Sequence, residues 1–417
     1  MQHTRFMLTL YLGLTATLSA QPPSMRLEDL EQLALRRNPL LAQARARIRT
    51  AAALRQQAAL YPNPEVGYTA SEVNAGQVFN YGEHGFFAQQ RFVTAGKLQL
   101  ARRLAEQDIE LAKAQAEAVR LRVLGNVQRL YYQALGEQRL IEVRQELSRL
   151  AQRAVQTTRE LLNVGQADQP DLMAVLVEAQ RLELALVQAR NALERTWRQL
   201  AAETGDPQLA PVPLAGDLEQ LPALDFDTEL ERIYAQSPEM RSAEITIRRS
   251  DLAVSQARAA VVPDLVARGG LHYNRERLGL GNRPIGWQGS AEVTIALPLF
   301  NRNQGAIAAA RAEAERASLA VDHARLDLRS RLASVFRQYR DSLAAVERYR
   351  KEMIPTAQKA YELYSTAFRR MAAAYPQVLI AQRNLFQVQE DYVATLMAAW
   401  QAVVDIRTLL VPAQMEN

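Results

Sequence analysis

The chain has 417 residues, of which 48% are hydrophobic and 23% charged. That composition excludes a disordered chain and supplies enough apolar material for a large core or several domains. There is no cysteine, which excludes disulfides, thiolate metal sites, cysteine nucleophiles and a lipidated N-terminal Cys. The formal charge is +5, and only four of the 50 basic residues are lysines (Lys97, Lys113, Lys351 and Lys359). These cations are spread among 45 acids with no basic block, unlike a nucleic-acid surface, which needs clustered charge.

At the N-terminus, Arg5 precedes the apolar run Phe6–Leu14, and small residues follow up to Ala20. This is the layout of a secretory signal peptide over residues 1–20, with cleavage after Ala20. The run is too short for a membrane-spanning helix. The remaining chain reads as two copies of one unit. Asn38-Pro39 answers to Ser237-Pro238, and Pro64-Glu65 to Pro263-Asp264, both at an offset of 199 residues. Pro170 answers to Pro376. The copies are placed at residues 21–204 and 225–411, with a linker at 205–224 holding four prolines and a tail at 412–417.

Each copy predicts a helix, two strands, a very long helix and a shorter helix. The first helix, over 26–60, stops at Tyr61-Pro62-Asn63-Pro64. Lys97 to Leu162 contains no proline and carries heptad steps through Val143, Leu147, Leu150 and Ala154, the mark of a coiled-coil seam. Some 66 helical residues at ~1.5 Å each span ~100 Å. Asn163-Val164-Gly165 breaks this helix, and Asp168 and Pro170 open the next, running to about Glu203. In the second copy a helix over 226–260 precedes Pro263, and a long helix over 306–370 carries a kink at Pro355. A turn at Met371–Tyr375 precedes Pro376 and the last helix.

The hairpins, at about 64–93 and 263–298, have period two rather than 3.6. Trp287, Val293, Ile295 and Leu297 alternate with Gln288, Ser290, Glu292 and Thr294. Leu265, Leu271 and Tyr273 share one parity in their strand, as do Val66 and Tyr68 in theirs. Alternation fits either a small water-soluble sheet packed on a core or the wall of a membrane barrel. In the barrel reading these nine residues face lipid. Four strands cannot close alone, and open edges are not tolerated in lipid, so closure needs several copies. Twelve strands at ~4.8 Å spacing and ~40° tilt give a bore ~24 Å across.

At the helix–strand corners the sequence resembles the TolC-type outer-membrane efflux factors. The residues that carry the resemblance are Tyr61–Pro64, the segment Gln90–Lys97, Asn163-Val164-Gly165 with Asp171, and Leu297–Gly305. The first, second and last are most similar to the subgroup serving cobalt–zinc–cadmium-type resistance pumps. The resemblance implies a mainly α protein with membrane β: a homotrimer whose four strands per chain form a 12-stranded β-barrel, continued by a long α-helical periplasmic tunnel. It places the protein in the outer membrane of a Gram-negative bacterium. Its partners would be a periplasmic adaptor (membrane fusion) protein and an inner-membrane efflux transporter. Asn163, Val164, Gly165 and Asp171 match the family's periplasmic tips, which serve as gate and adaptor dock. Where the family often shows a glycine and paired aspartates, this chain has Met371, Gln377 and Ile380. Asp168 and Asp171 are then the acids available for a ring at the mouth, with Gln377 and Ile380 lining it; both aspartates equally fit helix N-terminal caps.

No catalytic constellation is present, and no cofactor or metal site is expected. Gly96-Lys97 lacks the remainder of a phosphate-binding loop. His3, His84, His272 and His323 show no ligand spacing. His272 reads as an ordinary residue of the lumen wall. The function expected is a passive exit duct for divalent heavy-metal cations. Organic drugs or secreted polypeptides are the alternative cargo, and a soluble periplasmic coiled-coil scaffold is the alternative of another class.

Overall fold

The structure is a computed structural model. It describes residues 24–73, 76, 81–278, 283–370 and 375–411. The expected signal peptide at 1–20, Met371 and the tail at 412–417 lie outside the described residues.

In chain order the elements are α1 (Leu27–Arg37), α2 (Pro39–Ala58), β1 (Glu65–Ser71), β2 (Glu83–Phe92), α3 (Lys97–Asn163) and α4 (Gln169–Thr204). Then come α5 (Phe226–Gln236), α6 (Pro238–Ala259), β3 (Leu265–Leu278), β4 (Arg283–Ile295), α7 (Gln304–Arg348), α8 (Ile354–Arg369) and α9 (Tyr375–Arg407). The helix–hairpin–long helix–helix order thus occurs twice, and the four strands match the expected hairpins.

The expectation of single helices over 26–60 and 226–260 is corrected: each is broken in two. Asn38 and Ser237 are extended, with ψ of 124° and 128°, and cap the helices that follow. Asn38 Oδ1 accepts from the Leu40 amide at 2.8 Å, and Ser237 Oγ from the Glu239 amide at 3.2 Å. The cause is Pro39 and Pro238, which disfavour helical geometry in the residue before them yet fit a helix's first position. Pro355 acts more gently. It removes one helical donor and crowds the carbonyl of Lys351, and the helix widens into a π turn at Tyr349–Met353 just before it.

By packing, the chain divides into two units. Among the described residues, one comprises those within 24–34, 130–220 and 354–397, the other those within 35–129, 221–353 and 398–411. In the first, Leu147 packs with Leu385 and Phe386, flanked by Val143, Leu150, Leu182 and Tyr361. The coiled-coil seam read in the sequence therefore lies in that core. Arg144 ties α3 to α9 through Glu390 (2.7 Å) and to α4 through the Ala185 carbonyl (2.9 Å). In the second unit α6 lies along α7, with Ile233, Ile245, Leu328, Leu332 and Tyr339 fully buried. Tyr339 donates its hydroxyl to the Pro222 carbonyl at 2.7 Å, satisfying the one polar atom of a buried ring.

The second unit also holds the sheet. Its order is β1-β2-β3-β4, every pair antiparallel. Among the described residues, β1 and β4 each leave one edge unpaired.

Candidate functional site

The register sorts the side chains onto two faces. Val66, Ala88, Gly269 and Ala291 follow one another across the four strands, as do Tyr68, Phe86, Leu271 and Gly289. Tyr273 pairs with Trp287, their rings meeting edge to face at 5.6 Å, and Leu265 pairs with Ile295. Apart from His84 and Gln90 on β2, this face is apolar and carries large exposed side chains: Val66 is 81% exposed and Trp287 74%. It holds eight of the nine residues named from the sequence: Val66, Tyr68, Leu265, Leu271, Tyr273, Trp287, Val293 and Ile295. Leu297 follows the end of β4 and is also exposed.

The opposite face is polar. Arg268 pairs with Glu292, His272 with Gln288, and Gly270 with Ser290. Sequence reading missed Phe86 and Phe92, which belong to the apolar face. Phe86-Phe87 puts aromatics on both sides of β2 and obscures its alternation. Phe87 turns to the polar face because Gly67 opposite leaves room there: a Cβ on Gly67 would lie 2.6 Å from the Phe87 ring. The Arg268 guanidinium covers that ring, 3.8 Å from its centroid.

Where the sheet meets α3, Asp264 stands just before β3 and is almost fully buried. Its carboxylate accepts from Lys97 Nζ (2.7 Å), from Arg91 (2.7 Å) and from the Thr94 amide (3.2 Å). Burial alone would raise its pKa; the hydrogen bonds from Lys97, Thr94 and Arg91 outweigh it and hold the group at about 2. Lys97 also donates to the Val262 carbonyl at 2.6 Å. The segment Gln90–Lys97, which carried the family resemblance, is therefore a corner brace between strand and helix.

At the far end of α3, Asn163 is the last helical residue and Val164 is exposed. Gly165 has φ of 74°, and its amide donates to the Leu162 carbonyl at 3.1 Å; the Gln166 amide donates to Leu161 at 2.8 Å. Such a left-handed cap is what glycine permits. Asp168 caps α4, and its amide donates to the Asp171 carboxylate at 3.4 Å, so these two aspartates form a capping arrangement. Gln377 and Ile380 are exposed near the start of α9. Among the described residues, no group of three or more His, Asp or Glu could hold a metal ion, and no helix is long and apolar enough to cross a membrane.

A sheet with one apolar and one polar face, set on long coiled helices in a duplicated chain, defines a barrel-forming channel class. The chain belongs to the outer membrane efflux protein family, which matches residues 30–206 and 230–410. Among curated relatives, it is 26% identical over 356 residues to the cobalt-zinc-cadmium resistance protein CzcC of Cupriavidus metallidurans, covering 85% of this chain and 82% of that one. The probable outer membrane lipoprotein SilC of Salmonella typhimurium is 25% identical, with 77% and 68% covered. The fold of this chain is similar to that of CusC (TM-score 0.78, 17% identity, 94% and 95% covered) and of VceC from Vibrio cholerae (0.74, 19%, 92% and 96%). The protein is an outer-membrane efflux channel.

Proposed function

We propose that three copies of the chain close their sheets into one 12-stranded barrel, apolar face to lipid and polar face to a water-filled bore. The observation that carries this is the separation of faces together with the free edges of β1 and β4: neither a lipid-exposed edge nor an apolar wall in water is stable alone. The helices continue the bore through the periplasm, and the turn at Asn163–Asp171 and the start of α9 dock on a periplasmic adaptor bound to an inner-membrane transporter. The duct is passive, and the transporter supplies the energy.

The cargo we assign is divalent heavy-metal cations, on the likeness to a cobalt-zinc-cadmium resistance protein. Deleting the gene from its host tests this. The expected result is lowered tolerance to zinc, cadmium or cobalt with unchanged tolerance to organic antibiotics, restored by the intact gene. Lost tolerance to organic compounds alone would overturn the metal assignment and leave the duct.

A further inference from the structure

The polar face carries a pair of ligating side chains that chain order hides. The geometry points to a weak divalent-cation site, one per chain, formed by Glu83 on β2 and His272 on β3. As a stop for cargo it rests on the metal-efflux reading above; as a site it stands on its own geometry.

His272 is paired with Gly85, and Glu83 with Asn274, so the two ligating side chains are diagonal neighbours on one face. Gly85 has no side chain to come between them: a Cβ there would lie 2.4 Å from His272 Cβ. The imidazole Nε2 consequently stands 3.6 Å from Glu83 Oε2. A tetrahedral ion with donors at ~2.1 Å holds two of them about 3.4 Å apart, so both side chains can reach one ion with almost no movement.

The carboxylate is already oriented. Asn274, only 4% exposed, donates its amide to Glu83 Oε1 at 2.8 Å and to Gln288 Oε1 at 3.3 Å. That fixes one carboxylate oxygen and directs the other at the imidazole, with the Ser71 hydroxyl 3.5 Å from it. A supporting hydrogen bond of this kind orients metal ligands in known sites. The two side chains remain 17% and 27% exposed, leaving the other coordination positions to water. One imidazole and one carboxylate favour zinc, cobalt or nickel over magnesium or calcium. Two protein donors hold such an ion loosely, as a conducting pore requires: strong enough to enter, weak enough to leave.

The test uses the full protein in detergent, treated with diethyl pyrocarbonate with and without zinc chloride, and each modified histidine read by mass spectrometry. The expected result is that zinc slows modification of His272 while His84 and His323 react as before. In Glu83→Gln, which keeps the oxygen that Asn274 bonds, protection should need about tenfold more zinc. An unchanged His272 rate in wild type with zinc overturns the site, as does full protection in Glu83→Gln at the original concentration. The wild-type measurement decides even if the variant misfolds. Because no transport is read, failure here leaves the metal-efflux assignment standing, and a deletion strain with normal metal tolerance leaves this site standing.

Discussion

Asp264→Asn is expected to lower stability by about 2.5 kcal/mol and to remove an acid-sensitive step from unfolding. The carboxyl is lowered from 3.8 to about 2, which at ~1.36 kcal/mol per unit corresponds to about 2.5 kcal/mol. The Asp264 side chain is 8% exposed, so solvent screens the pair little on that side, although Arg91 is 62% exposed and contributes less than Lys97. Asparagine keeps an acceptor for the Thr94 amide but leaves Lys97 without its counter-charge. The sign follows from a folded-state pKa below the unfolded one: the stabilisation is complete above about 3.8 and is lost as pH falls through about 2. Urea unfolding of the detergent-solubilised protein checks both parts. Wild type should lose this increment between those pH values, and Asp264→Asn should start without it and lose nothing comparable.

Val293→Arg is expected to cost about 1–2 kcal/mol per chain in a bilayer, between the ~0–1 of the interface and the ~2–4 of mid-membrane for arginine on a barrel's lipid face, because Val293 stands two residues before the end of β4. Thr294→Arg, one residue along β4 and on the opposite face, should fold almost as well and change conductance instead. Adjacent residues of one strand with opposite outcomes are the signature of a two-faced wall. Folding yield into vesicles and single-channel currents separate the two effects. Equal loss of folding in both variants would count against the assignment of faces.

Much of the architecture was legible because its determinants are local. Lys97 to Leu162 lacks proline, and the heptad through Leu147 becomes core. β3 and β4 alternate cleanly, so Tyr273 and Trp287 could be placed on one face before any pairing was known. What escaped depends on partners distant in the chain. β2 was obscured because Phe87 occupies space left by Gly67 on the neighbouring strand. The breaks at Asn38 and Ser237 were marked by proline, but a helix-rich flank on either side masked them. The brace at Asp264 and the Glu83–His272 pair depend on the β2–β3 register, joining residues 173 and 189 positions apart. Histidine spacing along the chain carries no sign of a carboxylate partner on another strand.

Because the chain has no cysteine, one introduced thiol carries a spin label alone, which makes the central claim directly measurable. Labels at Val293→Cys and Thr294→Cys in membrane-reconstituted protein are compared for collision with dissolved oxygen and with a water-soluble nickel chelate. The two-faced barrel predicts that the label at 293 meets oxygen and is shielded from the chelate, while the label at 294 shows the reverse. Equal access of the chelate to both positions, or an inverted pattern, would contradict a wall with lipid on one side and water on the other.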